Sequence, residues 1–218
     1  MAFPLKQVTP PASEPIVLAD MKNYLRVDVT DDDDLIQTLI STARERAEDL
    51  TGRCLVSQQW EFAFDEFPRF GCWSHLHHRH GRHGSMFAND ETAIILPRGP
   101  VLSVDSITYK DQTGTVQTLS PSAYNADLLS QPARITPTYG TVWPVALYDT
   151  NSVTITFTAG YQNVPQSFIH AIKLIVGAYY ENRSEVVQSG GNFNSFPMPL
   201  SASALLGTYQ MLPLGYPR

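Results

Sequence analysis

Apolar residues at helical spacing and apolar residues at strand spacing occupy separate parts of this 218-residue chain, and this separation constrains its fold most. One helical stripe runs from Ile36 to Leu50 and another from Phe168 to Tyr179. Between them, segments such as Trp60–Phe64 and Asn151–Ala159 alternate apolar and polar residues, which is typical of half-buried strands. We therefore predict an α+β fold in which N-terminal helices and a long C-terminal helix pack together. An antiparallel β-sheet or sandwich portion is inserted between them, and an extended C-terminal tail follows.

The ends of these elements carry their own signals. A short helix is predicted over Ala19–Val27. The first long helix begins around Asp31–Asp34 and ends at Gly52. Thr30 or one of the aspartates can cap its first turn, and the other carboxylates face the positive end of the helix dipole. Pro165 suits the first position of the last long helix, because its missing N–H is not needed there. Further strands are predicted over Thr92–Leu96, Val101–Lys110 and Thr115–Leu119, with a hairpin turn at Asp111–Gly114 between the last two. A short helical patch is predicted over 201–210.

This order of elements predicts four regions. Residues 1–15 contain four prolines and little periodic pattern, so we interpret them as an N-terminal arm. Residues 16–53 and 164–186 form the helical core, and residues 54–163 form the inserted β portion with a His-rich loop at 70–89. Residues 187–218 form the C-terminal tail.

The charge balance argues against a protein that grips nucleic acid. The chain has 15 Lys and Arg against 21 Asp and Glu, a net charge of −6, whereas phosphate binding needs clustered cations. Charged residues make up only 17% of the chain and aromatic residues 11%, which favours a surface partly covered by partners. Two cysteines are too few for a disulfide framework, and neither a signal peptide nor a membrane span is recognised, so we expect synthesis in a cytoplasm and no membrane partner.

A cluster of histidines is the most conspicuous local feature. Five of the six histidines and one cysteine lie within twelve residues: Cys72, His75, His77, His78, His80 and His83. Imidazole and thiolate bind zinc, copper and nickel, so a metal-binding module or metal-dependent enzyme centred on Cys72–His83 is the alternative function. The simpler interpretation is a hairpin tip rich in Gly, Arg and His, since all the candidate ligands share one segment at no specific spacing. A pH-sensitive segment is a third interpretation, because imidazoles gain charge on acidification.

Catalytic motifs are absent from the sequence. It contains no G-x-S-x-G, P-loop, H-E-x-x-H or G-x-G-x-x-G pattern, and Asp31–Asp34 lacks the EF-hand spacing. We therefore predict no enzymatic activity, no catalytic or metal-binding residues and no cofactor. A ligand-binding β-sandwich, such as a carbohydrate module with a cleft lined by Trp60, Trp73 or Trp143, stays open as another class of function.

The C-terminal tail is apolar enough to be a docking segment. Its candidate interface residues are Phe193, Phe196, Met198, Leu200, Leu205, Leu206, Tyr209, Met211 and Leu212. Leaving so many large apolar side chains in water is costly. Either the tail folds back on the core of its own chain, or it docks on a neighbouring subunit or another partner and orders as it binds.

Several short phrases, in a fixed order, resemble the head–tail connector (adaptor, or head-completion) proteins of long-tailed bacteriophages. The opening phrases are Leu25–Asp28, Asp31–Asp34 and Glu48–Arg53. The later phrases are Phe64–Pro68, Leu96–Val101, Ser103–Val104, Tyr109–Asp111, Trp143–Pro144, Thr158–Tyr161, Tyr180–Arg183 and Leu205–Leu206 with Tyr209. The resemblance runs from about residue 16 to 210 and is to the longer variety, with a β portion between the helices.

The resemblance implies a structural subunit of the virion neck at the portal vertex. It implies a homo-oligomeric ring of twelve copies that joins the portal protein to a tail-side neck or stopper protein. DNA would pass through the axial channel without sequence-specific binding, and the C-terminal segment would reach toward the portal. The loop from Phe70 to Asn89 departs from the family pattern, so the resemblance assigns it no role.

Overall fold

A computed structural model describes residues 4–68, 92–182, 186–189, 192–195 and 199–211. Within these residues the chain forms four α-helices and ten β-strands, arranged in two compact units. We call the described parts of 4–10 and 58–159 the β unit, and those of 11–57 and 160–211 the helical unit. The mixture of helices and antiparallel sheets confirms the predicted α+β class.

The helical unit is built on four helices: α1 Leu18–Leu25, α2 Asp33–Thr51, α3 Gln166–Glu181 and α4 Leu200–Gly207. The stripes predicted from the sequence are the buried faces of α2 and α3, which pack together. The fully or almost fully buried side chains of this core are Ile16, Met21, Ile36, Ile40, Ala43, Ala47, Leu55, Phe168, Ala171, Ile172, Ile175, Val176, Ala202 and Leu206.

The two ends of α2 differ in how well the sequence predicted them. Gly52 follows the last turn with φ of 70°, the left-handed conformation that glycine adopts without strain, as expected. At the other end Asp32 is the N-cap residue, but its side chain makes no capping hydrogen bond. Its carboxylate accepts a hydrogen bond from the Tyr180 hydroxyl at 2.7 Å, while Asp33 pairs with Lys22 at 2.6 Å. The expected capping hydrogen bond is therefore not made at the N-cap residue, whereas Asp33 and Asp34 lie in the first turn, as the dipole argument predicted.

The β unit contains two antiparallel sheets. Its eight strands are β1 Leu5–Thr9, β2 Gln58–Phe64, β3 Ile94–Ile95, β4 Val101–Lys110, β5 Val116–Thr118, β6 Tyr124–Asp127, β7 Arg134–Pro137 and β8 Val153–Ala159. A five-stranded sheet has the order β1-β2-β8-β4-β5, and a three-stranded sheet has the order β3-β7-β6. Val153, Ile155, Phe157 and Ala159 of β8 are buried, which confirms the alternation seen in the sequence.

Strand β1 lies in the segment interpreted as an arm. It is an edge strand, with Leu5 opposite Phe62 and Gln7 opposite Trp60, and its residues are mostly exposed. Pro4 and Pro10 bracket it, so the sequence gives little sign of a strand; β1 is specified by its pairing with β2.

The tail contains more regular structure than its sequence indicates. Backbone pairing joins β9 Val186–Ser189 to β10 Asn192–Ser195 in a two-stranded antiparallel sheet, and α4 follows where a helical patch was predicted. The predicted boundaries of the four regions are not tested by these features and stay a prediction.

Candidate functional site

The second half of the predicted docking tail packs against the core of the helical unit. Leu206 is 2% exposed, and Leu205 and Tyr209 pack against the same core. The ring of Tyr209 lies 4.5 Å from that of Phe168 on α3. For these residues the structure favours the alternative in which the tail folds back on its own chain.

Hydrogen bonds fix the same segment to the end of α2. The Met211 amide donates to the carbonyl of Thr51 at 2.8 Å. Arg53 donates from Nε to the Tyr209 carbonyl at 2.5 Å and from Nη1 to the Tyr161 hydroxyl at 3.0 Å. Burial raises the pKa of Tyr161, and Arg53 opposes that rise. Arg53 thus joins two distant segments, a role that no local sequence signal reveals.

The remaining tail residues divide into one exposed side chain and four that the structure leaves undescribed. Leu200, at the start of α4, is 85% exposed. Phe196, Met198 and Leu212 lie outside the described residues, and for Phe193 only the backbone of β10 is described. Docking of the tail on a partner therefore stays a prediction, and among the described tail residues Leu200 is the one that presents a large apolar side chain to solvent.

A buried ion-pair network holds the start of the helical unit to α2. Arg44, 5% exposed, donates from Nε to Glu14 at 2.9 Å and from Nη1 to Glu48 at 2.9 Å. The second oxygen of Glu48 accepts the amide of Leu55 at 2.7 Å. Burial alone would lower the pKa of Arg44, but the carboxylates of Glu48, Glu14 and Glu45 outweigh it and the pKa is raised. Each buried charge is paired, so the network is structural.

A second carboxylate organises the β4–β5 turn in the β unit. One oxygen of Asp111 accepts the amides of Thr113 and Thr115, at 2.9 Å and 3.0 Å, and the other accepts Gln117 at 3.0 Å. The hydroxyl of Thr113 donates at 2.5 Å to the same oxygen as the two amides. Hydrogen bonds from Thr113 and Gln117 hold the pKa of Asp111 at about 2. These contacts explain why the sequence predicted a hairpin turn here.

The structure describes only some of the residues of the two alternative sites, the metal site and the tryptophan-lined cleft. All of Cys72–His83, with Trp73, lies outside the described residues. In the part of the chain that the structure describes, no three His, Cys, Asp or Glu side chains are grouped so as to hold a metal ion. Trp143 does not line a cleft, because it is buried and stacks on Phe67 with ring centroids 5.1 Å apart. Trp60 lies beneath Arg98, whose guanidinium carbon is 5.0 Å from the ring centroid.

None of the helices within the described residues combines the length and the apolar content that a membrane crossing would need.

Solved structures of similar fold come from phage-like particles. A chain in the virion of the native gene transfer agent (GTA) particle aligns over 97% of this chain and 98% of its own, with a TM-score of 0.71 and 19% identity. A chain in the neck of the empty GTA particle computed with C6 symmetry aligns over 98% of both, with a TM-score of 0.69 and 20% identity. A chain in the neck of the native GTA particle computed with C12 symmetry aligns over 99% of both, at 0.64 and 19%.

One of the sequence comparisons found a match. No curated protein matches the chain. Residues 15–118, from before α1 to the end of β5, match the family model for the phage gp6-like head-tail connector protein. The resemblance to head–tail connector proteins that the short phrases predicted is thereby confirmed.

Proposed function

We propose that this chain is a structural adaptor subunit of a virion neck, joining the portal protein to tail-side neck proteins. The family match over residues 15–118 carries the proposal. The shared fold with chains of GTA virions and necks, over nearly the full length of both, supports it. The role is architectural: it needs stable surfaces and no reacting groups.

The adaptor acts as a closed ring of twelve copies. The support comes from neck structures of similar fold that were computed with C6 and C12 symmetry. Head-to-tail contacts between identical subunits close on themselves when the rotation between neighbours divides a full turn. The small share of charged residues, 17%, suits a subunit whose surface is covered on two sides by its neighbours.

DNA passes through the axial channel of this ring without being held. A net charge of −6 per subunit repels phosphate weakly, whereas a basic lining would retain the strand and slow its passage.

The exposed part of the tail docks on the portal. Leu200 is the described residue that supports this step, being 85% exposed at the start of a helix whose other face is buried. Leu205, Leu206 and Tyr209 pack against the core and so hold α4 in place with Leu200 available for contact.

Co-sedimentation with purified portal rings tests the adaptor role. We expect the chain to sediment with the portal at a ratio of one adaptor subunit to one portal subunit. A chain that stays in the supernatant at all concentrations would overturn the proposal.

The tail contact is tested by a triple variant, Phe196→Ser, Met198→Ser and Leu200→Ser, which leaves Leu206 in place. Its matched control is Val17→Ser, a change of a 61% exposed side chain in the same unit outside the tail. We expect the triple variant to lose portal binding and the control to keep it. If both variants kept portal binding, the proposed contact between the tail and the portal would be wrong, but the adaptor role would still stand.

A further inference from the structure

The loop between β7 and β8 exposes large apolar side chains to solvent. In residues 138–148, which we call the apolar loop, Tyr139 is 100% exposed, Val142 88% and Tyr148 79%. Val145 is 52% exposed. Single exposed apolar residues are ordinary, but four within ten positions form a patch of the kind that marks a binding surface.

The apolar loop is anchored to the β unit at several points, which makes its exposed side chains a prearranged surface. Trp143, in its middle, is buried and donates from its indole N–H to the Thr92 carbonyl at 2.7 Å. Thr138, at its start, donates from its amide to the carbonyl of Ala123 at 3.1 Å. The Leu147 amide donates to the carbonyl of Lys110 at 2.9 Å. Anchored aromatic side chains lose little conformational entropy when a partner covers them.

The chemistry of the loop indicates what kind of partner fits it. No charged residue and no histidine occurs between Arg134 and Asp149. Without Lys or Arg the loop has no cation for a phosphate, which excludes nucleic acid as the occupant. Two tyrosines and two valines offer apolar area with hydroxyl groups at its margin, the composition found at the centre of protein–protein interfaces.

The apolar area of the four side chains is small for a contact between two separate proteins but sufficient for a contact that is repeated around a ring. A buried tyrosine covers about 150–250 Å², so the four side chains together offer on the order of 500 Å². A stable interface between two separate proteins buries about 800 Å² on each. A contact below that size suffices where a closed ring repeats it at every subunit boundary, because each copy is then held from both sides.

We propose that the apolar loop is part of the subunit–subunit interface, where it docks against a second copy of this chain. Tyr139, Val142 and Tyr148 are the contact residues. The buried side chain of Trp143 anchors the loop that carries them. This inference rests on the proposed function, since it requires the ring, and it specifies which surface closes that ring.

The test compares assembly of two variants of the full chain. The first is the triple variant Tyr139→Ser, Val142→Ser and Tyr148→Ser. The second is the control Val116→Ser, a change of a 65% exposed side chain on β5 of the same unit. Sedimentation velocity over a concentration series measures ring formation. We expect the triple variant to need at least about tenfold more protein for half-assembly, and the control to match the wild type. Unchanged Trp fluorescence and circular dichroism verify that both variants are folded.

A photo-crosslinker placed at Tyr139 gives a second readout that does not depend on a destabilising change. We expect a crosslinked dimer of the chain, formed in rings and lost on dilution below the assembly concentration. Rings that form equally well in the triple variant, or crosslinks only to a different neck protein, would overturn the inference while leaving the adaptor role standing. A wild-type chain that forms no ring, alone or with portal, would overturn both.

Discussion

The helical unit buries apolar side chains of its C-terminal segment, whereas the β unit exposes several apolar side chains of one loop. The helical unit folds most of its described tail inward, with Leu206 2% exposed and Tyr209 against Phe168. The β unit buries Trp143 but leaves Tyr139 and Val142, its neighbours in sequence, in solvent. An apolar stretch is therefore available for docking only where the chain offers no core position for its side chains.

The largest loss of stability is expected from a substitution in the buried ion-pair network of the helical unit. In Glu48→Ala, Arg44 loses one of its two short ion pairs and the Leu55 amide loses its acceptor. We expect unfolding free energy to fall by about 3 kcal/mol or more, because a buried charge is left incompletely paired.

The matched control is Glu45→Ala, at a carboxylate that is 67% exposed and 3.4 Å from the same guanidinium. Exposed pairs contribute little, so we expect a change within about 0.5 kcal/mol by urea unfolding. Equal losses in the two variants would contradict the assignment of Arg44 and Glu48 to a buried network. Glu48→Gln, which keeps an acceptor for Leu55, should lie between them.

The next effect concerns α4 itself. Leu206→Ala removes a side chain from the core and should cost about 2–4 kcal/mol, from lost burial and the cavity that remains. Leu200→Ala, at an 85% exposed position of the same helix, should change stability by less than about 0.5 kcal/mol. Thermal unfolding followed by circular dichroism measures both. A stable Leu206→Ala variant would mean that α4 is not integral to the helical core.

The smallest effect is the pH dependence of the β4–β5 turn. The pKa of Asp111 is held at about 2, below its usual value of 3.8, so the folded state favours the charged form. Its contribution is therefore complete above the ordinary carboxylate pKa and is lost as the pH falls toward 2. Asp111→Asn should lose stability at neutral pH and should show a shallower further loss on acidification. The slope is not abolished, because Asp127, also with a pKa of about 2, titrates in the same direction. Urea titrations at about pH 6 and about pH 3 measure the difference, and parallel slopes in variant and wild type would refute it.

The elements that the sequence predicted are those whose signal is local. Each of these signals lies within one short segment: the apolar stripes of α2 and α3, the alternation in β8 and the turn at Asp111. The spacing of apolar residues and the turn-forming residues were therefore enough to predict these elements. Strand β1 was missed because its edge pairing with β2 comes from about 50 residues away.

The surroundings of the tail side chains depend on contacts that are distant in sequence, so no local pattern specifies them. Composition marked the tail as apolar, but whether Leu206 faces a core or a partner depends on the shape of α2 and α3. Two hydrogen bonds hold the segments whose apolar side chains are buried or exposed. One joins Arg53 to Tyr209, 156 positions away, and the other joins Trp143 to Thr92, 51 positions away. The uncharged run from residue 135 to 148 was visible in the sequence and is the signal that could have pointed to the apolar loop.

Electron microscopy of the purified 218-residue chain, with its mass measured by native mass spectrometry, tests whether the proposed ring forms. We expect a closed ring with an open axis and a mass of twelve subunits. A chain that remains monomeric at every concentration, with and without portal rings, would contradict it.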